Sequence, residues 1–200
     1  MQRLPVRVLG FCLVVLSAAI PVSAQTVPRT EISGGYQFVN YSVDGEGESL
    51  PKGWYFDVAG NVTPIFGVVF QVGGNYKTLD ESVTIGGGTL TATADLRVHD
   101  FLGGVRLSAR GTSAVVPYGQ VLAGAVTSSI EVTASSTIPG VPTFSQEESA
   151  TNFALEVGGG VNFGFTDDLG IRFGVDYLRV FAEDEGINAF RFHVGIVIGR

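Results

Sequence analysis

Phe190-Arg191-Phe192-His193-Val194-Gly195-Ile196-Val197-Ile198 is the stretch that decides the fold. Phe190, Phe192, Val194, Ile196 and Ile198 take every second position; Arg191, His193, Gly195 and Val197 fall between them. A period of two sends neighbouring side chains to opposite faces, so the stretch reads as a strand with one greasy face and one polar or tiny face. The same rule governs residues 152–165, where Phe153, Leu155, Val157, Val161 and Phe163 oppose Ala154, Glu156, Gly158, Gly160 and Asn162. It recurs with Ile171, Phe173, Val175 and Tyr177 against Arg172, Gly174 and Asp176. Phe66, Val68, Phe70 and Val72 oppose Gly67, Gln71 and Gly73, and Trp54, Phe56 and Val58 oppose Tyr55, Asp57 and Ala59.

Three further strands are less regular. They cover residues 32–41, 96–109 and 116–126, which brings the expected number to eight. In the second of these, Leu96 and Val98 fall out of phase with Phe101. That slip suggests a bulge near His99-Asp100, or a stretch that has left the apolar layer. Thr63-Pro64, residues 110–113 and residues 166–168 read as tight turns, whereas 42–52, 78–93, 127–151 and 182–187 read as long polar loops. Short turns at one end and long loops at the other describe an up-and-down meander.

Composition narrows the setting. Apolar residues make up 45% of the 200-residue chain, only 16% is charged, and glycine contributes 28 residues. A surface with so few charges, only two of them lysine, is not one that a soluble protein shows to water. Arg3 and Arg7 precede a twelve-residue apolar run, Leu9 to Ile20, and Val22-Ser23-Ala24 supplies small residues for cleavage. We read residues 1–24 as a secretory signal, 25–30 as a short periplasmic segment and 31–200 as the folded domain. Twelve apolar residues fall short of the roughly 20 that a membrane helix needs. Loss of Arg3 and Arg7 takes the net charge from −7 to −9, and Cys12 leaves with them, so the mature chain has no thiol and no basic patch for nucleic acid.

An exported chain without a membrane helix enters a bilayer only as a closed sheet, because a bare backbone amide in hydrocarbon costs several kcal/mol. The apolar set then faces lipid: Trp54, Phe56, Phe66, Val68, Phe70, Phe153, Leu155, Val157, Phe163, Phe173, Val175, Phe190, Phe192, Val194 and Ile196. The other parity faces a lumen that eight strands leave just wide enough for side chains to fill. Asp57, Arg106, Glu156, Arg172, Asp176, Arg191 and His193 are expected to form a polar network there, with glycines opposite the large groups. Phe66, Phe163 and Phe165 at the short-turn end, with Trp54, Tyr76, Phe101, Phe153, Tyr177 and Phe190 at the other, would make two aromatic girdles.

With its export signal, Phe101-Leu102-Gly103-Gly104-Val105-Arg106 before a tight turn, Pro117-Tyr118-Gly119-Gln120 opening the next strand and the alternating final strand, the chain resembles the small eight-stranded outer-membrane barrels. These include the OmpA transmembrane domain, OmpX and the broad outer membrane protein beta-barrel domain family. Barrels of that kind commonly end in an aromatic residue, whereas the final strand here reads Ile198-Gly199-Arg200, and the peptidoglycan-binding module of OmpA-like proteins is not expected. The resemblance implies an all-β antiparallel transmembrane barrel in a Gram-negative outer membrane, termini periplasmic, monomeric, and in contact with outer-membrane lipids and lipopolysaccharide.

The function expected is non-enzymatic: a plugged scaffold whose loops 42–52, 78–93 and 127–151 meet an extracellular partner. Asp44, Glu46, Glu48, Glu131, Glu147, Glu148, Glu183, Asp184 and Glu185 give those loops an acidic rim. The alternative is a lipid A acyltransferase or deacylase, which requires a serine activated by a histidine. The chain offers only His99 and His193, neither beside a serine in a His-x-Ser pair. A secreted soluble barrel or sandwich is a second alternative, and a pore conflicts with eight strands. No residue set implies a catalytic site, a metal or a cofactor.

Overall fold

A computed structural model describes residues 29–199 apart from 44–45, 86–87, 112–113, 139–141 and 183–185. The signal reading, the residues Asp44, Glu183, Asp184 and Glu185, and part of the turn at 110–113 lie outside the described residues. The strands are β1 (Thr30–Val43), β2 (Glu46–Leu50), β3 (Lys52–Asn61), β4 (Phe66–Ile85), β5 (Gly88–Ser108), β6 (Val115–Ser136), β7 (Phe144–Gly164), β8 (Leu169–Phe181) and β9 (Gly186–Gly199). β2 and β3 form one barrel strand interrupted at Pro51, whose missing N–H breaks the ladder. All neighbours are antiparallel, and β9 pairs with β1, so the ring of eight closes.

The ladders also fix the tilt. Starting at Glu31, the paired residues run Ala59, Val69, Gly104, Leu122, Glu156, Leu178 and Ala189, then return to β1 at Tyr41. The path comes back ten residues higher than it began. A ten-residue stagger over eight strands tilts them by about 40°, so ten residues rise about 25 Å, the height of an outer-membrane apolar band.

Two short turns share one local device. Thr63 Oγ1 accepts from the backbone N–H of Phe66 (2.9 Å), and Thr166 Oγ1 accepts from that of Leu169 (3.1 Å). A threonine hydroxyl thereby satisfies the amide three residues on, which closes the hairpin tightly.

Two expectations need correction. Residues 78–85, 88–93, 127–136 and 144–151, expected as loops, are strand. Thr78 pairs with Asp95, Thr93 with Thr133, and Ala134 with Phe144, without a break in register. Their Ser and Thr content looks loop-like by polarity, but β-branched Thr and Val favour strands and both faces stand clear of lipid. Residues 46–50 and 52 of the first expected loop are strand as well. Second, β5 has no bulge near His99-Asp100, since its ladders to β4 and β6 advance residue by residue.

The phase slip in β5 is instead the other expected case, a stretch that has left the apolar layer, and it is repeated around the ring. Leu96 and Val98 point inward and pack on a buried cluster of Val39, Leu50, Leu102, Leu122, Val126, Ala154, Leu178, Val180 and Ala189. On β1 the outward series passes from Ile32 and Tyr36 to Asn40, while the inward series passes from Ser33 and Gln37 to Val39. On β8 the outward series passes from Phe173 and Val175 to Arg179, and the inward one from Arg172 and Asp176 to Leu178 and Val180. Where apolar surroundings outside give way to water, the greasy residues cross to the inside and plug the barrel.

Candidate functional site: the lumen and the standing hairpins

The lumen is filled by charge that β-sheet parity brings to one axis. Arg172 Nη1 donates to Asp57 Oδ2 at 2.7 Å, and Arg106 Nη2 donates to the same oxygen at 3.1 Å. Arg172 also reaches Asn162 Oδ1 (2.8 Å) and Glu31 Oε2 (3.2 Å). Arg106 donates to Gln120 Oε1 at 2.7 Å. Both guanidinium groups lie over the Tyr118 ring, 4.8 and 4.9 Å from its centre. Higher up, Arg191 pairs with Glu156 (2.9 Å) and Asp100 (3.4 Å). His193 Nδ1 lies 3.0 Å from Asp176 Oδ2, and its Nε2 shares a 2.9 Å hydrogen bond with Tyr118 Oη. All these side chains are buried.

Asp57, Arg106, Glu156, Arg172, Asp176, Arg191 and His193 thus converge on one lumen. Four partners were not anticipated from sequence. Glu31 and Arg110 join as a buried ion pair at the base, where Arg110 also donates to the Pro64 carbonyl at 2.7 Å. Glu31 opens a strand and Arg110 lies beside a turn, so neither stands within a clear alternating run. Asp100 was hidden by the slip in β5, and Tyr118 by the weak pattern of β6. Glycine is required where these groups crowd. A Cβ on Gly158 would strike the Asp176 carboxylate, and one on Gly174 would strike the His193 ring.

Outside, Trp54, Phe56, Val68, Phe70, Phe153, Leu155, Val157, Phe163, Phe173, Val175, Phe190, Phe192 and Ile196 are exposed, and Phe66 and Val194 are half-exposed. At the upper edge of this band Trp54 Nε1 donates to Tyr76 Oη (3.2 Å), which shares a 3.1 Å bond with His99 Nε2. Tyr177 Oη donates to Asn188 Oδ1 at 2.6 Å, and Arg179 donates to the same oxygen. Aromatic bodies with polar tips suit a lipid–water boundary.

Above this edge the barrel is lopsided. β4 to β7 run for 20, 21, 22 and 21 residues, whereas β8, β9 and β1 run for 13, 14 and 14. Four strands therefore stand beyond the rim as a sheet. Its outer face is a polar lattice: Thr78 donates to Asp95 (2.6 Å), Thr93 to Asp80 (2.8 Å), Ser129 to Glu147 (2.9 Å), and Arg97 pairs with Glu131 (3.3 Å). At the mouth, Lys77 and Tyr41 both donate to Glu48. The Lys77 bond, then that of Tyr41, holds the Glu48 carboxyl below its usual range, while burial, then the Glu48 bond, pushes Tyr41 up to about 12.

A closed ring of eight antiparallel strands, greasy outside and ion-paired within, defines an outer-membrane β-barrel protein. The model of the outer membrane protein beta-barrel domain matches residues 10–197, and the chain belongs to that family. Among solved structures, it resembles Ail, the attachment invasion locus protein of Yersinia pestis, crystallised with the heparin analogue sucrose octasulfate. That similarity has a TM-score of 0.57 at 19% identity, covering 84% of this chain and 96% of Ail. It also resembles Neisserial surface protein A, with a TM-score of 0.58 at 9% identity over 88% of this chain and all of that one. No curated protein matches the chain. At such identities the likeness extends to the fold alone.

Proposed function

We propose that the protein is a non-enzymatic, monomeric outer-membrane barrel with periplasmic termini, and that it meets an extracellular partner through its standing hairpins. The observation that carries this reading is the pairing of a filled lumen with four strands extended past the rim. Buried ion pairs below and a buried apolar cluster above occupy the axis, so the barrel serves as a rigid mount. The apolar outer residues face acyl chains, and the upper girdle lies among lipopolysaccharide headgroups. The hairpins carry Asp80, Glu81, Asp95, Glu131, Glu147 and Glu148 against Lys77 and Arg97, a balance that suits a basic partner and not a polyanion of the kind bound to Ail.

Among the described residues, His99 and His193 hydrogen-bond to Tyr76 and Tyr118 and not to a serine hydroxyl. Mass spectrometry of lipid A from cells with and without the protein tests the reading; identical profiles support it, and a protein-dependent change in acylation refutes it. Orientation is tested separately with Ser135→Cys in a Cys12→Ala background, since Cys12 is the single cysteine of the sequence. Labelling of this thiol by an impermeant maleimide on intact cells is expected; labelling only after outer-membrane disruption would invert the topology.

A further inference from the structure

The sheet that stands beyond the rim has two unlike faces. Continuous registers place Leu79, Glu81 and Val83 of β4, Leu90, Ala92, Ala94 and Leu96 of β5, Ile130, Val132 and Ala134 of β6, and Phe144, Gln146 and Glu148 of β7 on the face that looks over the mouth. The rows across it read Lys77-Leu96-Ile130-Glu148, then Leu79-Ala94-Val132-Gln146, then Glu81-Ala92-Ala134-Phe144. It is apolar and open from its flanks, where Leu79 is 50% exposed, Val83 56% and Phe144 55%, to its centre, where Ile130 is 41% exposed and Val132 38%. Among the described residues, the opposite side of the barrel does not rise to cover it, because β8, β9 and β1 are shorter.

Charge identifies the occupant. Glu81 and Glu148 sit at opposite corners of the apolar patch and take part in no ion pair among the described residues, while Lys77 is already held by Glu48. A second copy of this acidic chain would bring carboxylate against carboxylate. A cationic amphipathic segment would cover the apolar centre and meet both corners at once. Three interstrand spacings make the face about 14 Å wide, and six residues of rise make it about 20 Å tall. That area accepts one helix of about 14 residues. We infer that the inner face of β4–β7 beyond the rim binds a cationic amphipathic peptide segment, its apolar side on Val83, Val132 and Phe144 and its lysines or arginines on Glu81 and Glu148.

This inference rests on the non-enzymatic surface reading above and names the class of partner. The test uses the full mature chain in phosphatidylcholine nanodiscs and a fluorescent 14-residue helical peptide of leucine and lysine, with empty nanodiscs as the blank. Saturable one-to-one binding is expected, weakened at least about tenfold by the pair Glu81→Lys and Glu148→Lys and by the pair Val83→Ser and Val132→Ser. Glu147→Lys, on the outer face, is expected to change it by less than about twofold. These positions stand above the closed ring, and retained heat-modifiable migration verifies that each variant is folded. Absence of saturable binding, or equal weakening by Glu147→Lys, overturns the inference. So does binding that ignores the charge reversals but fails with the serine pair, which would make the face a site for uncharged apolar ligands. Lipid A profiles are read in parallel: a changed profile refutes the non-enzymatic reading, whereas lost binding with an unchanged profile refutes only the assignment of the partner.

Discussion

Replacement of Arg191 by methionine discriminates between a lumen held by specific charge balance and one that is merely filled. Arg191 is fully buried and is the guanidinium that serves both Glu156 at 2.9 Å and Asp100 at 3.4 Å. The third carboxylate of this upper group, Asp176, has His193 as its partner. Without Arg191, Glu156 and Asp100 lose their cation while remaining shut away from water. Removing one partner of a buried pair costs about 3–5 kcal/mol, chiefly as the desolvation of the charge left behind. Arg172→Met is the matched control. It is equally buried, yet Asp57 keeps Arg106 and Glu31 keeps Arg110 after its loss, so the expected cost is about 1–3 kcal/mol, that of hydrogen bonds with substitutes at hand. The assay is urea unfolding of the barrel in phosphatidylcholine vesicles, followed by the fluorescence of Trp54, the single tryptophan, and by heat-modifiable migration. Glu156→Gln in the Arg191→Met background should recover part of the loss. If Arg191→Met costs no more than Arg172→Met, and Glu156→Gln recovers nothing, the account of Arg191 as the guanidinium on which the upper carboxylates depend is wrong.

Val157→Arg or Ile196→Arg, placing a charge on side chains that are 56% and 59% exposed within the apolar band, should cost about 2–4 kcal/mol of folding stability in vesicles; normal folding yields would contradict an outward lipid face. Gly124→Ala should impair assembly, because the added Cβ meets the backbone carbonyl of Phe101 on the next strand, whereas Gly60→Ala has open space and should fold as well as the parent by gel shift. Glu48 is held ionised below its usual range, so what its contacts with Lys77 and Tyr41 contribute is fully present above that range and lost as pH falls through the lowered value. An NMR titration of the Glu48 side chain should place its midpoint below that of a Lys77→Ala variant.

The legible parts of this protein were those where one physical rule acted alone. Within the apolar band each strand meets lipid on one side and a packed lumen on the other, so parity assigns Phe192 outward and Arg191 inward with no knowledge of neighbours. Residues 78–85, 88–93, 127–136 and 144–151 do not read as strand because, beyond the rim, the outer face is wet and the contrast between faces weakens or reverses. Polarity there looks like a loop, while the hydrogen-bond ladder continues to Ala134 and Phe144. The slip at Leu96, Val98 and Phe101 was visible as a fault, but its meaning depended on where the surrounding medium changes.

Sequence by itself determined the alternation, the short turns and the identity of the charges that had to be hidden, because each depends on residues adjacent along the chain. Only the closed tertiary structure decided which charges meet. Arg172 and Glu31 are 141 positions apart and touch because closure of the ring pairs β9 with β1 and so leaves β8, which carries Arg172, one strand away from β1, which carries Glu31. It also decided that four strands rise past the rim with a greasy inner wall. Pairing partners and the level of the rim follow from how strands tilt around a ring, a property of the whole barrel that no single strand carries.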